Sequence, residues 1–120
     1  MPDTHASFGR LLRDKRLEKG FSLRKFAELA GVSPTYQSQV EQDNVQPPTA
    51  DRVKRMAEIL GENPDEWIAL AGRVPEDLPK IIQEQPTEIP ELLREAHGLT
   101  AEQLRTLREQ VRKLKERGAE

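Results

Sequence analysis

A chain of 120 residues, 35% hydrophobic and 33% charged with only 4% aromatic residues, can build one modest core from Leu, Val, Ile and Ala, which suits packed helices. With no cysteine, no apolar run of membrane-spanning length, and a start, MPDTHASFGR, lacking the apolar stretch of a signal peptide, disulfides and thiolate metal sites are excluded; the expected setting is a reducing cytoplasm without membrane contact. The net charge of −2 conceals a basic segment, in which Arg10, Arg13, Lys15, Arg16, Lys19, Arg24 and Lys25 face only Asp14 and Glu18, and an acidic one, in which Glu76, Asp77, Glu84, Glu88, Glu91 and Glu95 face only Lys80 and Arg94.

Residues 1–6 read as a flexible start. A first helix is expected from about Ser7 to Gly20, with Phe8, Leu11 and Leu12 turned inward, Leu17 extending that stripe, and Arg13, Arg16 and Lys19 on the other face. The stretch Ser22 to Gln42 reads as a helix-turn-helix. Ser22 is a good N-cap, and Phe26, Leu29 and Ala30 share one face of a short helix that Gly31 can end in the left-handed conformation. Val32 can fill the angle, and small Ala27 lets the helices approach. Ser33 then caps the next helix, Pro34 sits where a missing N–H costs nothing, and Val40 faces back inward.

Beyond Gln42, Asn44 supports a turn and Pro47 with Pro48 forbids helix. Thr49 is positioned to cap a fourth helix with Val53, Met56, Ala57 and Leu60 inward and Gly61 at its end. Asn63, Pro64, Asp65 and Glu66 start a fifth, whose buried side is assigned to Trp67, Ile68 and Leu70; Trp67 is read as core rather than as a platform for a base. No apolar–polar alternation persists long enough for a sheet, so the class is all-α.

Residues 8 to about 72, centred on RDKRLEKGFSLRKFAELAGVSPTYQSQVEQ, resemble the lambda-repressor/Xre superfamily of helix-turn-helix DNA-binding domains. The likeness rests on Arg16, Gly20, Ala27, Gly31, Val32, the Ser-Pro start of the third helix, Glu41 at its end, the Pro-Pro-Thr loop and two further helices. It implies a five-helix bundle over residues 7–72 that reads double-stranded DNA with its third helix. Two positions depart from the pattern. Gln37 stands where the family has an apolar residue, at a cost unless its amide is hydrogen-bonded or partly exposed, and Leu23 stands where many relatives have a phosphate-touching glutamine.

A helix in the major groove offers its N-terminal residues to base edges while the preceding helix crosses the backbone. On that geometry Thr35, Ser38, Gln39 and Gln42 are the expected base contacts, Gln39 foremost because its amide can pair with adenine N6 and N7. Arg13, Arg16, Lys19, Arg24, Lys25, Ser33 and Tyr36 are the expected backbone contacts, with the Tyr36 ring on the second helix and its hydroxyl on a phosphate. Lys54 and Arg55 are read as solvated or paired with nearby acids.

Residues 73–120 are read as a helical C-terminal region that dimerises. Pro75, Pro79, Pro86 and Pro90 restrict it at first to short helical turns carrying Leu78, Ile81 and Ile82, then Leu92, Leu93 and Ala96. Thr100 and Gln103 form a capping box for a final helix with Leu104, Leu107, Val111 and Leu114 at coiled-coil spacing. Two copies of that helix would meet with like charge at Arg108, Lys115 and Arg117, so the acidic segment with Glu88, Glu91 and Glu95 is its expected partner, in its own chain or in the twin protomer. Leu92, Leu93, Leu104, Leu107, Val111 and Leu114 are thus the predicted dimer contacts, and a homodimer would read a palindrome.

An enzyme finds no constellation: His5 and His97 have no ligand-spaced companions, Ser22, Ser33 and Ser38 have structural places, and no cofactor or metal site is expected. The region after Gly72 is too short for the serine-lysine domain with which some relatives cleave themselves. The main reading is therefore a transcriptional regulator acting as a repressor, whose inducing partner would be a ligand, an antirepressor or a peptidase. The alternative is an antitoxin or adaptor whose C-terminal region holds a toxin or other protein.

Overall fold

The computed structural model describes residues 7–118, which form eight α-helices: α1 (Phe8–Glu18), α2 (Leu23–Ala30), α3 (Pro34–Glu41), α4 (Ala50–Leu60), α5 (Pro64–Leu70), α6 (Asp77–Glu84), α7 (Glu88–Ala96) and α8 (Ala101–Gly118). The described residues contain no strand, so the fold is all-α. The flexible start expected over residues 1–6, and His5 within it, lie outside the described residues.

Capping sets most of the helix starts. Ser7, Ser22 and Ser33 accept hydrogen bonds at Oγ from the amides of Arg10, Lys25 and Tyr36, and Asn63 Oδ1 accepts from Glu66. Each bond satisfies a backbone donor that the first helical turn leaves without a partner. Thr49 occupies the N-cap of α4 but makes no side-chain bond there. Gly31 ends α2 at φ 77° and Gly61 ends α4 at φ 72°, conformations that tax any residue with a Cβ.

Two compact units divide the chain, one running to Lys80 and the other beginning at Ile81. The first holds a single core in which Phe8, Leu12, Phe26, Val40, Val53, Met56, Leu60, Trp67 and Ile68 pack together. Trp67 is core as expected, its ring meeting Phe8 edge-on at 5.7 Å. Leu17 and Leu70 are corrections, being 52% and 55% exposed. The inward stripe of α1 passes from Leu12 to Arg16 and misses Leu17, while that of α5 passes from Trp67 and Ile68 to Ala71 and misses Leu70.

Beyond Ile81, α7 and α8 contain no buried residue. Pro79 and Pro90 fall in the first turns of α6 and α7, where helix needs no N–H from them. The capping box at α8 is complete: Gln103 N–H donates to Thr100 Oγ1 at 3.1 Å, and Thr100 N–H to Gln103 Oε1 at 3.0 Å. No described helix is long and apolar enough to cross a membrane.

Candidate nucleic-acid interface

The turn between α2 and α3 is closed by backbone bonds from Gly31 to Glu28 and from Val32 to Ala27, after which Ser33 restarts the helix. Beneath α3 lies a buried polar cluster. Arg16 donates from Nε to Glu41 Oε2 at 2.7 Å and from Nη2 to Glu41 Oε1 at 2.9 Å, while Nη1 reaches the Phe21 carbonyl at 2.9 Å. Gln37 Nε2 adds a bond to Glu41 Oε2 at 2.8 Å. The bidentate pair joins the C-terminal half of α1 to the last residue of α3, fixing α3 along its length and in rotation.

That geometry corrects one expected phosphate contact. The Arg16 side chain is 7% exposed with its guanidinium committed inward, so it holds the reading helix and does not face a backbone. Its pKa is raised, chiefly by the hydrogen bond to Glu41, with burial opposing and the Glu41 charge adding, so it stays ionised. Gln37 is buried outright: its amide nitrogen is satisfied, but its Oε1 has no partner among the described residues.

Close approach of α1 and α3 requires Gly9, which sequence reasoning passed over. A Cβ there would overlap the Val40 carbonyl and sit 2.7 Å from Asp43 Oδ1. Nothing in the local pattern marks it, because the constraint comes from a segment about thirty residues away.

The outward groups gather as follows. Ser33, Thr35 and Gln42 are exposed and Ser38 and Gln39 half-exposed on α3, while Arg13, Lys19, Arg24 and Lys25 are exposed on α1 and α2. A shallow groove of about 440 Å³, lined by Ser22, Arg24, Lys25, Glu28, Val32 and Pro34, brings the basic start of α2 to the N-terminal end of α3. Lys25 also pairs loosely with Glu28 at 3.4 Å. Gln42 Nε2 donates to Ser38 Oγ at 2.8 Å and its Oε1 accepts from Asn44, so these polar groups brace one another. Among the described residues neither Thr35 nor Gln39 makes a side-chain hydrogen bond, and of the two expected glutamine readers Gln39 keeps its amide free while Gln42 does not.

Tyr36 lies beneath Arg52 of α4, whose guanidinium carbon is 5.2 Å from the ring centre. The ring is expected on α2, and the cation over it comes from α4, where one arginine among several exposed charges gave no signal. Arg55, read as solvated or acid-paired, donates to the Leu29 carbonyl at 2.9 Å and satisfies the end of α2. The described residues hold no cluster of His, Cys, Asp and Glu suited to a metal ion.

Residues 7–70 match the helix-turn-helix domain family. Among solved structures, the chain is similar to the biofilm master regulator SinR in complex with DNA, with 28% identity over 51% of this chain and 97% of that one and a TM-score of 0.47. It is similar to the clp gene regulator ClgR from C. glutamicum, with 28% identity, 60% and 92% coverage and a TM-score of 0.48. A SinR/SinI complex matches at 25% identity over 94% of this chain and 99% of that one, with a TM-score of 0.46. No curated protein matches. With more than half of its length matched by that family model, the chain belongs to the helix-turn-helix domain family, in keeping with the resemblance of its sequence to the lambda-repressor/Xre superfamily.

Proposed function

We propose that this chain is a sequence-specific transcriptional regulator, a repressor that binds a palindromic operator as a homodimer, with residues 7–72 reading DNA and residues 73–120 joining the copies. The observation that supports it best is the contrast on α3, held from beneath by Arg16, Glu41 and Gln37 while its other side offers polar groups beside the basic start of α2. Thr35, Ser38, Gln39 and Gln42 reach base edges; Ser33, Tyr36, Arg24 and Lys25 hold the flanking phosphates, with Arg13 and Lys19 beyond them. No cofactor enters this reading.

Selection of bound fragments from random duplex DNA tests it. The expected product is a palindrome with half-sites about 10–10.5 base pairs apart, centre to centre. Gln39→Ala is expected to cost about 1–3 kcal/mol at one base position. Arg24→Ala should weaken all sequences alike and reduce the salt slope by about one. No enriched sequence, with both variants indistinguishable from the parent, would refute the regulator. Leu93 at 55% and Leu114 at 64% exposure favour a second reading, an adaptor or antitoxin whose C-terminal helices hold another protein. Partner binding that survives both substitutions while DNA is ignored would establish it.

A further inference from the structure

We propose that the copies are joined by reciprocal exchange, α8 of each lying parallel along α7 of the other; this rests on the dimer reading above. On α7 the residues Ile89, Leu92, Leu93 and Ala96 form one apolar arc, and Glu88 and Glu95 border one edge of it. Leu104, Leu107, Val111 and Leu114 form the arc of α8, bordered on the opposite-handed edge by Arg108 and Lys115. These four bordering charges are exposed, and no ion pair among the described residues involves them. With the two arcs face to face and the helices parallel, the acids of α7 and the bases of α8 fall on the same side. Antiparallel, the acids meet Gln103, Gln110 and Arg117 instead, so only the parallel arrangement matches charge along its length.

The pairing cannot form within one chain. Setting Ile89 beside Leu104 places Ala101 roughly 15 Å back along the axis from Ala96 and about 9 Å to the side, close to the full reach of the connection. That connection is a closed turn: Leu99 N–H bonds to the Ala96 carbonyl at 3.1 Å, and Gly98 has φ 97°. Between copies there is no such limit. A twofold axis along the bisector of α7 and α8 exchanges their directions, so the contact is made twice and closes at two copies.

The full-length chain provides the test by sedimentation equilibrium at about 0.1 M salt, with circular dichroism confirming unchanged helix content. Glu88→Lys with Glu95→Lys makes both helices basic at the seam, and Arg108→Glu with Lys115→Glu makes both acidic. Each variant alone is expected to self-associate roughly tenfold more weakly or worse than the parent. An equimolar mixture should recover dimers, because each α7 then meets an oppositely charged α8 from the other chain. A parent that sediments as a monomer overturns the dimer reading and this exchange together, leaving α7 and α8 to a different protein. Should the parent dimerise while its charge variants self-associate unchanged, or their mixture recover nothing, the exchange alone is overturned. Recovery only when all four substitutions share one chain would place the pairing in cis, which also overturns it.

Discussion

Gln37 carries a buried amide whose Nε2 bonds to Glu41 and whose Oε1 has no partner among the described residues. Glu41 keeps both Arg16 bonds without it, so the amide contributes one charged hydrogen bond against one unsatisfied acceptor and the loss of an apolar contact. Gln37→Leu is therefore expected to stabilise the fold by about 1–2 kcal/mol, read as a higher denaturation midpoint, with DNA affinity unchanged. Arg16→Ala should do the opposite, destabilising by about 3–5 kcal/mol because the Glu41 carboxylate would be left buried and unpaired. Replacing both, as Arg16→Met with Glu41→Leu, should recover most of that loss. If Arg16 instead served a phosphate, its removal would lower the salt slope and spare the midpoint. Since the raised pKa of Arg16 means its stabilisation is complete below the ordinary guanidinium range and lost only above it, none of this varies with pH near neutrality. In the sequence, Arg16 shared a charged face with Arg13 and Lys19 because charge spacing shows which side a residue leaves the helix, not where a long side chain ends. Arg16 and Glu41 already stood together in the family motif, and that opposite-charge pair was the available clue.

At the scale of elements, most of the bundle was legible because its determinants are local. Ser7, Ser22, Ser33 and Asn63 cap the helices they precede, and Gly31 and Gly61 end theirs, since each acts on backbone within four residues. What escaped notice was set by distant segments: Gly9 against the Val40 carbonyl, Arg52 over Tyr36, Arg55 on the end of α2, and Arg73, whose guanidinium binds the Pro47 and Pro48 carbonyls and ties the end of α5 to the loop before α4. Gly9→Ala separates the two kinds of determinant. Helix propensity alone favours alanine by about 1 kcal/mol, whereas overlap with a backbone carbonyl that cannot rotate away costs more, typically 1–3 kcal/mol or beyond. A lowered denaturation midpoint together with weaker DNA binding is the expected outcome, because the shift would displace α3 itself. A stabilised variant with unchanged binding would show that α1 and α3 need no such approach.

Over the whole molecule, the sequence patterns of α7 and α8 specify helices without specifying burial: Leu92, Leu93, Leu104, Val111 and Leu114 are all at least 39% exposed in the single chain. Periodicity revealed their apolar arcs, but what covers an arc is a property of a second molecule and could not be read from one. On the proposed reading the direct readout by α3 is sparse, with Gln39 the expected glutamine reader whose amide is free, so one copy on one half-site should bind weakly. Joining two copies converts the second half-site contact into an intramolecular event, which raises affinity by about 10²–10⁴ without any new base contact. Leu107→Asp with Val111→Asp places charge in the proposed α8 seam at positions that no core in the single chain requires, and it leaves untouched every residue proposed to face DNA. The variant should sediment as a monomer with unchanged helix content, bind an isolated half-site as the parent does, and bind the full palindrome about 10²-fold or more weakly. Its titration of the palindrome should be independent of dimer dissociation, whereas that of the parent should steepen as protein concentration falls through the dimer's own dissociation constant. Equal affinity of variant and parent for the full site would mean that α3 reads its operator without a twin, and that α8 faces some other protein.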